Sequence, residues 1–330
     1  MDSISRVRQH LDTFRTLRHS PHDYPWVHTH RGGEHGQVVV LQAITHGDEV
    51  GPMPALLDAM RDLAAGTLRF GGTVHFVLGN PEAALAGRRF LERDLNRVFV
   101  DPDIVAGGPN THEAKRARAL MPILDGCALF IDFHQTSQPS ARPFYSYPWR
   151  PDWAAWTRAI GGATAWTTRS AGAVFVAGMR CTDEYVRDNG GMGMTLELGQ
   201  RGFTDSARAR ARDEIRRALS LVDALAAGET TLEAAAAAQP APELFAAVHA
   251  QALSDPMMAL APGWESFAPV RAGQLVSAPG TPEVRATHDG ALLFPVYPDR
   301  DDQGAVVEPR PQTLFRIIQQ VTEDPAVVFA

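Results

Sequence analysis

Along the first two thirds of the chain, short apolar runs alternate with longer stretches in which apolar residues return every three or four positions. The runs Trp26–His30, Gln37–Ile44, Thr73–Leu78, Ala128–His134, Ala173–Ala177 and Met192–Leu198 predict strands. The stretches Met53–Ala65, Thr111–Leu124, Asp152–Ile160, Thr182–Asp188 and Asp205–Ala227 predict helices. At the N-terminus, Ile4, Val7, Leu11 and Phe14 recur among charged residues, which reads as an amphipathic helix rather than a signal peptide. Several strand runs are apolar on both faces, as in a sheet covered by helices on both sides. The pattern predicts an α/β fold with a mainly parallel, mixed central sheet flanked by helices. Ligands of such sheets bind beyond the carboxyl ends of the strands.

The texture changes near Gly228. Thr230–Ala238 is an Ala-rich helical segment, and Gln239-Pro240-Ala241-Pro242 reads as a linker. Beyond it lie short strand-like pieces punctuated by Gly and Pro: Phe245–Ala250, Trp264–Pro269, Gln274–Ser277, Glu283–Thr287, Ala291–Val296 and Ala305–Val307. Two domains are expected, residues 1–238 and a small β-rich domain over residues 239–330. The stretch from Val270 to Gly290 looks like a biotinyl/lipoyl-type β-fold, but with no Lys it cannot carry either group.

Composition narrows the function classes. A charged fraction of 21% and a hydrophobic fraction of 45% are those of an ordinary soluble globular chain. The net charge of −7 gives no general reason to expect nucleic acid or an anionic membrane as partner, and no stretch is long and apolar enough to span a bilayer. Cys127 and Cys181 are the only cysteines and form no CxxC, which excludes a thiolate zinc site and suggests a reducing, cytoplasmic compartment. Lys115 is the single lysine, so any anion site must be built from Arg, whose planar fork suits carboxylates.

Candidate chemistry begins at ITHGDEVG, residues 44–51, where an apolar strand ends and a helix follows. His46 and Glu49 are spaced as two ligands of one metal, and a catalytic zinc site takes three protein ligands with one open position. His134, at the end of Ala128–His134, supplies the third ligand. Asp132, two residues earlier, shares its face and is placed to orient it. A rival cluster, His28, His30 and His35, reads as a solvated strand and turn. The segment Gly79–Phe99 holds several arginines at another strand end and reads as an anion-recognition loop, with Arg88 and Arg93 turned to solvent. In Met194-Thr195-Leu196-Glu197-Leu198-Gly199, Glu197 interrupts an apolar strand. A buried carboxylate there needs a partner or a task, and a general base beside an activated water is such a task.

With HGDE, DLNR, DFH and TLELG in this order, the chain resembles the succinylglutamate desuccinylase/aspartoacylase family, zinc amidohydrolases related to the metallocarboxypeptidases. The motifs cover roughly residues 38–200, and the two-domain layout extends the likeness. The resemblance implies a zinc-carboxypeptidase-like fold with one Zn2+ per chain, held by His46, Glu49 and His134. It implies Glu197 as catalytic acid/base, Arg89 as the group polarising the scissile carbonyl, and Asn96 and Arg97 as holders of the substrate α-carboxylate. Arg187, ten residues before Glu197, is implied as a further substrate grip by spacing alone. The expected reaction is hydrolysis of the amide bond of a small N-acyl amino acid, releasing a carboxylate and a free amino acid. The expected partner is that small molecule, with self-association left open.

Two features depart from the family: Gln135-Thr136-Ser137 after the His, and the aromatic segment Arg142–Trp149. Both bear on the acyl group rather than on the chemistry. The alternative is a metallocarboxypeptidase acting on the C-terminal residue of peptides. The β-rich C-terminal part, expected to narrow the site, argues for small substrates.

Overall fold

The computed structural model describes residues 2–19, 24–100, 108–169, 179–301, 306–307 and 312–329. The chain opens with α1 (Ser3–Leu17), whose Asp2 side chain accepts from the Ser5 N–H and whose Val7, Leu11 and Phe14 are buried. The first strands are β1 (Val27–Arg31) and β2 (Val38–Ala43); α2 (Met53–Ala64) and β3 (Thr73–Leu78) follow. Then come α3 (Pro81–Leu85), α4 (His112–Leu124), β4 (Leu129–Thr136), β5 (Phe144–Ser146) and α5 (Pro151–Ile160). β6 (Ala165–Thr168), α6 (Thr182–Asp188), β7 (Met192–Gln200), α7 (Asp205–Ala226) and α8 (Leu232–Ala237) complete the larger part. The remainder comprises β8 (Glu243–Ala252), β9 (Pro269–Val270), β10 (Gly290–Leu293), β11 (Thr313–Gln320) and α9 (Pro325–Val328).

All the strands belong to one sheet, in the order β1-β3-β2-β4-β7-β5-β6-β8-β11-β10-β9. The centre, β3-β2-β4-β7, is parallel, while β1 and β5 run antiparallel to their central neighbours. The expected mixed α/β sheet with helices around it is borne out, and so are strands in the C-terminal part. β8 pairs in parallel with β6, so these strands continue the same sheet. Residues from Leu253 onward nevertheless pack their own apolar cluster, which includes Val276, Leu292, Leu314 and Phe315. Phe144, Ala165, Phe245, Leu293 and Ile318 form a seam between the two parts.

Strand alternation sorts the core into two layers. Val39, Leu41, Leu129, Ile131, Met192, Met194 and Leu196 lie under α1, α2, α5 and α7. Val40 and Phe130 lie on the opposite face, under α4 and α6. On that second face the apolar series stops early. Phe130 is followed two and four residues on by Asp132 and His134, Val40 by Gln42, and Gly193 by Thr195 and Glu197. The inter-strand register pairs Gln42 with Asp132, Asp132 with Thr195, and His134 with Glu197. Polar groups therefore gather beyond the helical cover, at the carboxyl ends of three adjacent parallel strands. β2 connects to β3 on one side and lies against β4 on the other, so the group sits at the switch point of the sheet.

Several elements differ from expectation. Trp264–Pro269, Gln274–Ser277 and Glu283–Thr287 are irregular save for Pro269, which opens β9, and isolated bridges such as Ser140 to Ser266 and Leu275 to Arg285. Gly and Pro interrupt each before a ladder can extend. Strand β11 was not anticipated, because a bulge between Ile317 and Ile318 breaks its alternation and buries apolar neighbours on both faces. β5 and β6 are too short to show a period. The expected strand Ala173–Ala177 lies outside the described residues, as does Ala305 of the last expected piece. Among the described residues, no helix is long and apolar enough to cross a membrane.

Candidate metal centre and substrate cavity

The turn after β2 is built by unusual backbone. Ile44 takes φ 52°, a left-handed conformation that costs a β-branched residue on the order of 1–3 kcal/mol. Its carbonyl accepts from the Asn80 N–H, tying the turn to the end of β3. Gly47 follows where a side chain has no room: a Cβ there would lie 2.4 Å from the Ala83 carbonyl carbon and 2.6 Å from the Arg88 oxygen. The glycine of HGDE thus lets the turn press against the Gly79–Phe99 loop. The Gly47 N–H donates to the Arg89 carbonyl.

His46, Glu49 and His134 converge, and all three are buried. His46 Nδ1 lies 2.8 Å from Glu49 Oε1, and His134 Nδ1 lies 2.8 Å from Glu49 Oε2. Each far ring nitrogen is backed by another carboxylate, His46 Nε2 by Asp94 Oδ1 at 3.1 Å and His134 Nε2 by Asp132 Oδ2 at 2.9 Å. The second pair is in ionic contact without the alignment of a hydrogen bond. Asp132 is itself fixed, since Gln42 donates to Thr45 Oγ1 and Thr45 Oγ1 donates to Asp132 Oδ1 at 2.6 Å. The Gln135 N–H donates to Glu49 Oε2, which sets the carboxylate plane.

This donor set fits a divalent metal. Two imidazoles and a carboxylate offer ligand atoms within 4.8 Å of one another. A ligating Nδ1 must be unprotonated, so Nε2 must carry the ring proton; Asp132 stands where it can accept that of His134, while at His46 Nε2 Asp94 shares the nitrogen with the Arg89 guanidinium, which can only donate. Without an ion, burial opposes charge on all three groups, yet their mutual attraction prevails. Asp132 and Glu49 raise His134 well above the usual imidazole range, and the two histidines hold Glu49 well below the usual carboxylate range.

Arg89 lies on the loop after α3. Its Nη1 donates to Glu49 Oε1 at 3.2 Å, its Nη2 lies 2.7 Å from His46 Nε2, and Asp94 Oδ2 accepts from its Nε and Nη2. Its side chain is 43% exposed, so it stands between the buried triad and the cavity mouth. Asn96 and Arg97 lie in a single 3-10 turn, Leu95–Arg97, capped by Asp94. Asn96 Oδ1 accepts from the Thr182 N–H and hydroxyl, and Arg97 Nη1 donates to the Asn96 carbonyl and lies 3.3 Å from Cys181 Sγ.

The triad opens on a cavity of about 240 Å³. His46, Glu49, His134, Glu197, Arg89, Asn96 and Arg97 all line it. Glu197 Oε2 is buried there with no hydrogen-bond partner among the described residues. Burial pushes the Glu197 carboxyl up to about 7; Glu49 adds to the rise, while His134, His46 and Arg89 oppose it. Arg187 does not line the cavity. It is buried on α6, where its Nη1 donates to Asp183 Oδ2 at 2.7 Å and to the Gly193 carbonyl. His28 and His30 lie on β1, away from the triad; Arg88 and Arg93 are exposed.

Sequence reasoning missed the roles of Thr45 and Asp94, although both lie within the quoted stretches ITHGDEVG and DLNR. It also missed Arg169, Arg201 and Arg316 in the cavity wall. Arg201 Nη1 donates to Asp48 Oδ2 at the rim. Arg316 lies on β11, and its one signal was a lone Arg among apolar residues. Burial lowers the Arg316 pKa, and the nearby Arg169 and Arg97 lower it further, so three cations share this wall.

The family model described as Succinylglutamate desuccinylase/Aspartoacylase catalytic domain matches residues 35–227. A succinylglutamate desuccinylase of Pseudomonas paraeruginosa is 33% identical over 121 residues, 35% of this chain and 36% of that protein, so the match spans about a third of the relative's length. A solved succinylglutamate desuccinylase/aspartoacylase from Rhodobacter sphaeroides superposes with TM-score 0.66 at 20% identity, covering 90% of this chain and 88% of that one. Murine aminoacylase 3 superposes with TM-score 0.61 at 18% identity, covering 86% and 95%. At these identities the two structures speak to the fold.

Proposed function

Because the chain belongs to the succinylglutamate desuccinylase/aspartoacylase family, we propose that it hydrolyses the amide bond of a small N-acyl amino acid in a zinc-dependent reaction. The observation that carries this reading is Glu197 Oε2, a buried carboxylate oxygen without a hydrogen-bond partner among the described residues, in the cavity that the metal triad lines.

His46, Glu49 and His134 would hold one Zn2+, which when bound supplies Lewis-acid polarisation of a carbonyl and acidifies water. The remaining work falls to the chain's own side chains. Glu197 takes the proton of the attacking water at its free oxygen and returns it to the departing amide nitrogen. Arg89 offers its guanidinium to the charge that develops on the carbonyl oxygen, the kind of preorganised electrostatic contribution that dominates acyl transfer. Arg97 pairs with the α-carboxylate. Asn96, whose carbonyl end is occupied by Thr182, presents its amide donors to the same group.

The Arg169 and Arg316 wall favours an acyl group or side chain with an anionic end. Residues 1–238 serve as the hydrolase unit, while residues 239–330 narrow the cavity through Phe294 and Arg316. That narrowing weighs against the carboxypeptidase alternative, since an extended peptide needs an open groove. The test is purified protein, with metal content measured, on succinyl-, acetyl- and longer-chain acylated amino acids beside a peptide panel. Hydrolysis of an N-acyl amino acid with about one zinc per chain is expected. Peptide cleavage alone, or no zinc and no activation by it, would overturn the reading.

A further inference from the structure

We propose that Glu113, which touches neither the triad nor the cavity, is a positioning residue for the reaction, holding the loop that carries Arg89 and Asp94 against His46. The inference rests on the function proposed above for Arg89 and His46.

Between α3 and the Asn96-Arg97 turn the backbone forms neither helix nor strand. Three consecutive amides of this loop converge on one side chain. Leu91 N–H donates to Glu113 Oε1 at 2.7 Å, while Glu92 and Arg93 N–H donate to Oε2 at 3.2 and 2.9 Å. Asn80 Nδ2, at the end of β3, donates to Oε1 as well. The carboxylate is fully buried, and these donors hold it ionised against the burial that opposes charge. Such charge-assisted bonds are stronger than neutral ones, and four on one group leave it little freedom. The grip is returned: Glu92 Oε2 accepts from the His112 N–H, the first amide of α4. α4 in turn is anchored in the core by Ala114, Ala117 and Leu120.

The loop held this way controls three catalytic contacts. Its Arg89 carbonyl accepts from Gly47, between His46 and Glu49; its Arg89 guanidinium reaches Glu49; its Asp94 backs His46 Nε2. Slackening residues 91–93 therefore loosens a metal ligand and the carbonyl-polarising group together, although Glu113 contacts neither.

The test is Glu113→Gln in the full chain, with Glu113→Asp as the second variant should the first not fold. Gln turns a donor toward the amides; Asp keeps the charge but withdraws it by one carbon. Hydrogen exchange should rise across residues 89–97 while β2 and β4 stay protected. Zinc affinity and kcat should each fall about tenfold or more, the usual effect of removing a support behind a metal ligand. In an Arg89→Ala background the same substitution should cost less in kcat than it does alone, because coupled sites are non-additive, while the loss of zinc affinity, which runs through Asp94 and His46, should persist. Faster loop exchange with unchanged kcat and zinc affinity, or a fully multiplicative effect on kcat in the double variant, would overturn the proposal. Should the unsubstituted chain hydrolyse no N-acyl amino acid, the functional reading fails separately. Exchange and zinc affinity then decide the role of Glu113, a lowered affinity sustaining it and an unchanged one overturning it.

Discussion

Glu197 on β7 sits in register with His134 on β4, so the proposed base and a metal ligand project from neighbouring parallel strands on one face of the sheet. A rigid ladder, not a loop, sets their separation. Replacing Glu197 with Gln should therefore lower kcat by about 10²-fold or more while zinc content stays at the wild-type level. A near-normal rate in the variant would remove Glu197 from the chemistry.

Stripping zinc with a chelator should abolish hydrolysis, and stoichiometric zinc should restore it. On the proposed reading metal binds only the folded triad, so zinc at about 1,000 times its dissociation constant should add about 4 kcal/mol to stability, visible as a raised melting temperature. A stripped chain with full activity would show that the triad holds no catalytic ion.

Arg316 reaches the cavity from β11 and shares its wall with Arg169. Arg316→Ala should raise KM for succinyl amino acids by about tenfold or more, the value of one charge-assisted carboxylate contact, and leave acetyl substrates nearly unchanged. Equal effects on both substrates would place Arg316 on the amino-acid end or outside recognition.

Arg187 and Asp183 form a buried pair. Arg187→Ala should cost about 3–5 kcal/mol in denaturant unfolding, because it strands a buried carboxylate. An unchanged midpoint with a raised KM would instead return Arg187 to the substrate.

Glu214 on α7 gives a pH dependence remote from the metal. Burial pushes its carboxyl from 4.5 up to about 7, and the Tyr145 hydroxyl donates to Oε1 at 2.8 Å. The space beside it exists because residue 162 is glycine, whose missing Cβ would lie 1.5 Å from Oε2. The raised value means the folded chain keeps a proton that the unfolded chain releases. Stability is therefore fully present below 4.5 and declines as pH rises to about 7, by roughly 3 kcal/mol. Glu214→Gln should flatten this slope in urea titrations across that window; an unchanged slope would assign the dependence elsewhere.

Much of the site was legible because its chemistry is written in residue types that strands bury reluctantly. His134 and Glu197 each end or break an apolar run, and Asp132 falls two residues from His134, as period-two geometry requires. Ranges such as Thr73–Leu78 and Thr182–Asp188 were readable because an apolar run and a short polar-apolar stretch each stand between turn residues. What escaped was long-range. Asp94 and Thr45 gain meaning only when folding sets them behind His46 and Asp132. Arg187 kept the expected spacing but found Asp183 one helical turn away, a local pairing that spacing alone does not reveal. Arg316 was hidden because the bulge in β11 disguises the strand.

Parallel pairing of Ala165–Thr168 with Glu243–Ala246 welds the wall bearing Arg316 to the rest of the molecule. A swinging door would have to rupture that ladder and the aromatic seam beside it. Substrate tolerance should then evolve by trimming individual residues such as Phe294, whereas lengthening the connector at residues 239–242 should leave the accepted substrates as they were.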